Sequence, residues 1–259
     1  MTAATIRATR PRELPFSTRV GIFIRLLAIQ GAWNYETLLG NGIGFCIEPA
    51  LRLLPGGRHT PEFHAALARE SKYFNAHPYL ASVAVGALAR AELDGEPPER
   101  IERFRTALCG PLGSVGDRLV WAGWLPFCSL LSLALFGLGA RAIAVVGFFL
   151  LVYNAGHFAL RVWGLNTGWS HGLRVASALG NPVLRRGPQQ IGRLAALATG
   201  IAIPLALGRI IGPGRSLLGL VLVAVALGAT VIVRLQGRFE GWRMSLVLLA
   251  AFSLFAVLR

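Results

Sequence analysis

The chain is poor in several things that most enzymes and secreted domains have. Charged residues make up only 15% of its 259 residues, against about 25% in ordinary soluble domains. That leaves too little polar surface to cover a water-soluble ball of this size. Cys46, Cys109 and Cys128 are too few and too scattered for a disulfide framework or a cysteine zinc site. The one lysine, Lys72, has no glycine-rich lead-in, so there is no Walker loop. Gly113-Ser114-Val115-Gly116 comes near a nucleophile elbow, but Leu112 stands where the elbow needs glycine. His59 and His64 have no third histidine or cysteine nearby to complete a metal site, and they read as solvated side chains. No cofactor motif, metal site or self-contained catalytic group is expected.

What is present is apolar length. Hydrophobic residues reach 54% and mean hydropathy is +0.57. Leu119 to Ala140 carries no charge over 22 residues, and Ala142 to Leu160 adds 19 more with only His157 able to charge. A span needs roughly 20 apolar residues. Ser216 to Val233 also qualifies, whereas Leu194 to Gly208, with Pro204 inside it, and Met244 to Leu258 are shorter. The expectation is an all-α polytopic membrane protein with about five spans over 118–259. Ahead of them come a tail at 1–16 and amphipathic helices over 17–117.

Charge orients the spans. Residues 1–117 hold 13 basic and 11 acidic side chains, and residues 118–259 hold 13 basic and one acidic, Glu240. An even basic spread would point to nucleic acid. Here the arginines punctuate apolar runs, which indicates a membrane face and no nucleic-acid partner. Eight arginines follow spans two and four, and four follow spans one, three and five. The positive-inside rule then places the N-terminus in the cytoplasm and the C-terminus outside. Trp121, Trp124, Trp163 and Trp242 near span ends read as interface anchors.

The first half reads as short helices between glycine and proline turns. Val20, Phe23, Ile24 and Leu27 share one helical face, suited to a membrane surface or a partner. Thr60-Pro61-Glu62 predicts an N-cap, a proline at the first helical position and an acid in the first turn. Pro78 opens a helix through Arg90, and Pro97-Pro98-Glu99 opens another.

Three groups of residues carry candidate chemistry. Gln30, Trp33, Asn34, Tyr35 and Glu36 combine aromatic faces with amide and carboxylate groups, which suits a sugar; a cap and turn would use the same residues. Gly110 to Asp117 repeats glycine every three residues beside a span, as a sharp turn or a close backbone approach requires. Asp117 faces a cavity there or caps the following span. Asn154, His157 and Arg161 share one face of span two, as residues lining a substrate path or an interhelical hydrogen-bond network do.

Together these residues resemble the IID subunits of the mannose/fructose/sorbose-type phosphotransferase system (PTS). Gln30 to Glu36 followed by Gly44-Phe45-Cys46 is similar to that family's opening motif, and Tyr73-Phe74-Asn75-Ala76-His77-Pro78-Tyr79 to its second. Gly110 to Asp117 is similar to the third, a GPL-x-x-VGD loop. Phe148-Phe149, Asn154, Arg161 and Gly164, then Gly168 to Gly172, resemble the fourth. The order is the family's, over roughly 17–175. Three departures stand out: Arg118 where proline is usual, His157 where arginine is usual, and an insertion before the last two spans cut down to Arg209 through Arg215.

The resemblance implies a non-phosphorylated subunit, not an enzyme on its own, in the bacterial cytoplasmic membrane. It implies pairing with a IIC membrane subunit in a trimer of IIC–IID pairs. The sugar, a mannose-like hexose, is phosphorylated by cytosolic IIA and IIB partners during uptake. Gln30, Asn34, Glu36, Asn75 and Asp117 are then expected near the sugar path or the IIC contact. The competing reading is a transport-inactive relative with a regulatory or scaffolding role.

Overall fold

The computed structural model describes residues 13–175, 180 and 182–211, with isolated positions at 219, 223 and 227. The described part is helical, without a β-strand beyond two isolated bridges. Eight helices follow in order: α1 (Phe16–Leu27), α2 (Gly40–Leu51), α3 (Pro61–Glu70), α4 (Ala81–Asp94), α5 (Pro98–Gly116), α6 (Leu125–Gly137), α7 (Ala142–His171) and α8 (Pro182–Ile211). A π-helical segment, Asp117–Trp124, joins α5 to α6 without a break. Short 3₁₀ turns occupy Gly57–His59 and Gly172–Arg174.

Helix α4 is the centre of the N-terminal body. Its sequence, ASVAVGALARAELD, is small and apolar nearly all round, and such a helix must be buried. It packs on α2, α5 and α7. Gly95 ends it at φ 68°, and Glu96 N–H reaches back to Ala91 O at 3.1 Å, so an orphan carbonyl of the last turn is satisfied. Thr60 caps α3 as its sequence predicts, accepting from Phe63 N–H at 3.3 Å.

The α1 face expected for a membrane surface or a partner is left uncovered by the body. Ile22 and Leu26 are fully buried, while Phe16, Val20, Ile24 and Leu27 stay exposed. The helix is apolar on two sides, and periodicity from Val20 picked the outer one.

Among the described residues three helices are long and apolar enough to cross a membrane: Pro98–Gly137, Ala142–Arg174 and Leu184–Ile210. The first is longer than its uncharged run, because α5, the π segment and α6 form one rod. The third begins ten residues before the run expected at Leu194, so the short third span becomes a full one. The expected spans at 216–233 and 244–258 lie outside the described residues.

Of the two readings of 110–117, a sharp turn or a close backbone approach, the turn is not made, since the segment is helical. Gly110 and Gly113 face open space, and only Gly116 makes a close approach, against the His77 ring. Asp117 therefore caps nothing; it is the first residue of the π segment. Pro126 gives the π register a physical reason. Proline lacks an N–H and crowds the carbonyl four residues back, and widening the preceding turns relieves both.

Glycines set the seam between the body and the membrane helices. Gly164 and Gly168 on α7 face Ser82 and Val83 of α4, and Gly86 of α4 faces Leu165 and Trp169 of α7. This small-xxx-small pattern lets two backbones meet. The outer half of α7 is exposed and apolar at Ile143, Val146, Leu150 and Leu151, whereas Gly164, Leu165 and Trp169 are buried on α4. One helix thus runs from bilayer into body. Farther along, Arg209 of α8 donates to Phe136 O and to Ala140 O (3.0 Å), placing a cation at the C-terminus of α6.

Candidate functional site

The polar cluster at 30–38 builds a turn before it builds anything else. Asn34 Oδ1 accepts from Glu36 N–H (3.0 Å) and Thr37 N–H (2.9 Å). Its Nδ2 donates to Ala32 O (3.2 Å) and Thr37 Oγ1 (2.9 Å). All of its hydrogen bonds are spent inside the turn. Leu38 is held at φ 50°, a left-handed position costly for leucine. Gln30, Glu36, Trp33 and Tyr35 project outward, the two rings meeting edge-on at 4.9 Å.

The segment 73–79 is the hub. Leu39 N–H donates to Phe74 O (3.0 Å) and Phe74 N–H to Thr37 O (3.1 Å), zipping the Asn34 turn to it. Gly40, at the start of α2, has no room for a side chain, because an added Cβ would strike the Lys72 carbonyl. Asn75 and Tyr73 are exposed beside this zip. His77 then crosses to α5, its N–H reaching Leu112 O at 3.4 Å and its ring lying on Gly116 and 5.0 Å from Trp121. Burial, helped by the nearby Arg161 charge, pushes the His77 imidazole down to about 4. Its Nδ1 accepts from Tyr79 N–H (3.2 Å), so Nε2 carries the proton, buried and without a partner among the described residues.

Tyr79 continues the line into α7. Its hydroxyl is 2.7 Å from that of Tyr153, and Arg161 lies over its ring at 4.3 Å. The trio Asn154, His157 and Arg161 forms one directed chain. Arg161 can only donate, so His157 Nδ1 accepts from Nη1 at 2.6 Å. His157 Nε2–H then donates to Asn154 Oδ1 (2.9 Å), and Asn154 Nδ2 to Leu150 O (2.6 Å). Arg161 Nε also donates to Leu26 O at 3.2 Å, tying α7 to the last turn of α1. The trio is a hydrogen-bond chain along one helix, with Arg161 and Tyr79 making its links to other elements.

A second polar system fastens the body. Glu70 is fully buried and paired with Arg105, which also donates to Lys72 O at 2.8 Å. Arg69 grips Glu92 with two bonds of 2.8 and 2.7 Å. Burial pushes Glu70 up to about 8, with the Arg105 charge opposing. Glu48 meets Arg25 (2.8 Å), Arg52 (2.7 Å) and Arg58 (3.4 Å) at an open cleft of about 680 Å³ that His59 and His64 also line. Burial works to raise Glu48, but these arginines hold it below its usual value. Burial drives the Cys46 thiol up to about 12, so it is no nucleophile. Among the described residues no group of three histidine, cysteine or carboxylate side chains is placed to hold a metal.

The segments that carry the sequence-expected residues are thus joined from the Asn34 turn through 73–79 to α5 and α7. The side chains of Gln30, Glu36, Asn75 and Asp117 are exposed and do not bond one another. His77, Tyr153 and the Glu70–Arg105 pair were not singled out from sequence. Tyr79 and Tyr153 are 74 residues apart and nothing local couples them, although Tyr153 lies four residues before His157.

Comparison with known proteins places this arrangement. The profile of the PTS system mannose/fructose/sorbose family IID component matches residues 14–200. The mannose-specific EIID component of Escherichia coli (strain K12) is 28% identical over 220 residues, covering 80% of this chain and 76% of its own. The sorbose-specific EIID component of Klebsiella pneumoniae is 30% identical over 175 residues, covering 64% and 61%. The fructose permease IID component of Bacillus subtilis (strain 168) is 28% identical over 204 residues, covering 73% and 72%. Among solved structures, a chain of the mannose transporter ManYZ in complex with microcin E492 matches with a TM-score of 0.57 at 20% identity, over 95% of this chain and 97% of that one. A second, described as a membrane protein, reaches 0.67 at 20% identity, over 95% and 98%.

Proposed function

This chain belongs to the IID-component family of the mannose/fructose/sorbose phosphotransferase systems, and we propose that it works by pairing with a IIC subunit to pass a hexose-type sugar inward. Cytosolic IIA and IIB partners phosphorylate that sugar on entry. The trimer of IIC–IID pairs in the cytoplasmic membrane, with the N-terminus inside, belongs to the same reading. Supporting it most is the convergence of the family-like segments on 73–79, which joins the Asn34 turn, α5 and α7 into one polar and aromatic line.

Two outward surfaces suit the tasks this reading requires. The exposed stripe Phe16, Val20, Ile24 and Leu27 on α1, with the outer half of α7, offers apolar area to a membrane partner or to lipid. The exposed rim of Gln30, Trp33, Tyr35, Glu36, Tyr73 and Asn75 carries rings for sugar C–H faces and polar groups for hydroxyls, or for the IIC contact. No group on these surfaces is set up for phosphoryl transfer, so in this reading that chemistry lies with the partners.

The test is isolation of the tagged chain from its native membrane in mild detergent. The expected result is a larger polytopic subunit in equal amount. A chain recovered alone and single-sized would replace the permease reading with the regulatory one.

A further inference from the structure

Two cavities flank α8 where the membrane helices begin, and they differ in chemistry. One, about 560 Å³, is lined by Val115, Arg118, Leu184, Arg185 and Gln189. The other, about 410 Å³, is lined by the apolar faces of Leu119, Trp124, Leu160, Trp163 and Ile191, again with Leu184. Leu184 is the wall between them. Here α8 runs beside the π segment in the same direction: a Cβ added at Gly187 would lie 3.4 Å from Leu119 Cδ1, and one at Gly123 would strike Ile191.

The arginines sit at one depth. Arg118 directly precedes the uncharged run that starts at Leu119, and Arg185 and Arg186 lie in the first turn of the Leu184–Ile210 span. All three are exposed, and no carboxylate pairs with any of them among the described residues. Arg118 Nε is anchored on Ser114 O at 3.1 Å, which leaves the end of its guanidinium facing outward. Among the described residues Asp117, next to Arg118 in the chain, is the acid nearest in sequence to these arginines, one negative charge against three positive. Basic clefts between helices at a membrane–water boundary suit anionic headgroups.

We propose that this end of the helical group binds one anionic phospholipid. Its phosphate sits between Arg118 and Arg185, and an acyl chain lies in the apolar slot behind Leu184. A water-soluble phosphate would use the first cavity and leave the slot idle, and a zwitterionic lipid would leave the arginine charge unmet.

The full-length chain, stripped of lipid in detergent, is mixed with phosphatidylglycerol or with phosphatidylcholine of the same acyl chains. Bound lipid is counted by native mass spectrometry. The expected result is retention of one phosphatidylglycerol and no phosphatidylcholine. Replacing both arginines (Arg118→Gln with Arg185→Gln) should weaken it on the order of thirtyfold, the factor two arginines give near an anionic surface. Ala159→Leu, which narrows the slot, should weaken long-chain phosphatidylglycerol and spare a dihexanoyl analogue. Equal retention of the two lipids overturns the proposal, and this comparison on the unaltered chain decides even where the double variant does not accumulate. Protection by inorganic phosphate equal to that by phosphatidylglycerol overturns it in favour of a free-phosphate site. Cross-linking of a cysteine at position 185 to an acidic segment of a co-isolated subunit, with no lipid retained, overturns it in favour of a protein partner.

Discussion

Gly168→Ala and Gly147→Ala make the same chemical change on the same helix and should have opposite effects. Around Gly147 there is nothing within 4 Å of an added methyl, so alanine there gains helix propensity of up to about 1 kcal/mol. At Gly168 the methyl would strike Val83 O and lie 2.8 Å from Ala87 N and 3.0 Å from Val83 C. These are backbone atoms of α4, so no side-chain rotation relieves the clash, and the two helices must separate. Overpacking of this kind costs about 1–3 kcal/mol. Set against the full propensity gain, a net loss of up to about 2 kcal/mol remains. Gly86→Ala, which meets Leu165 O and Trp169 N from the other side of the seam, should cost a similar amount. Combined with Gly168→Ala it should cost less than the sum, because one separation accommodates both. Thermal unfolding of the detergent-solubilised chain, followed by tryptophan fluorescence, measures all four variants. Equal effects at 147 and 168, or an additive double variant, would refute the backbone-contact account of the α4–α7 seam.

Further outcomes follow from the polar line and the buried pairs. Asn34→Ala removes acceptors for Glu36 and Thr37 N–H and should cost about 1–2 kcal/mol with faster proteolysis at 33–38, whereas Asn34→Asp, which keeps the acceptor, should cost less. Glu70, pushed up to about 8, holds a proton in the folded chain that the unfolded chain releases above its ordinary value of 4.5, so it stabilises less as pH rises toward 8. His77, lowered from 6.5 to about 4, works in the opposite sense below 6.5. Between pH 6.5 and 8 the Glu70 effect acts without the opposing one of His77, so stability should fall as pH rises there, and Glu70→Gln should flatten that fall in pH-dependent unfolding. Tyr153→Phe removes the 2.7 Å bond to Tyr79 and should cost about 1 kcal/mol by the same unfolding assay. Asp117→Ala should stop sugar uptake while leaving co-isolation of the IIC subunit intact, and normal uptake would remove Asp117 from the functional surface.

Helical class and membrane character were legible because they rest on composition and run length, which need no tertiary information. Thr60 as an N-cap was legible for the same reason, since the cap is made within four residues. Other features were set by contacts between distant parts. The outward stripe of α1 was legible as a face for a membrane or a partner, but the buried side, Ile22 and Leu26, was not, because only docking on α2 decides what is covered. The glycines at 110–116 suggested a sharp turn or a close approach; α5 continues through them, and the approach, made at Gly116, needs His77 from another segment. The Asn34 turn is a local feature, yet its docking on Phe74 spans about forty residues. That the family-like segments meet was not legible in their order; hydrogen bonds of the 73–79 segment, from Phe74 to Tyr79, join them.

The most direct test of the central account is uptake of labelled hexose by cells that lack their own permease and express the IIC, IIA and IIB partners with or without this chain. The account predicts phosphorylated sugar inside only when the chain is present. Equal accumulation without it would contradict a permease role and leave the chain as a membrane scaffold.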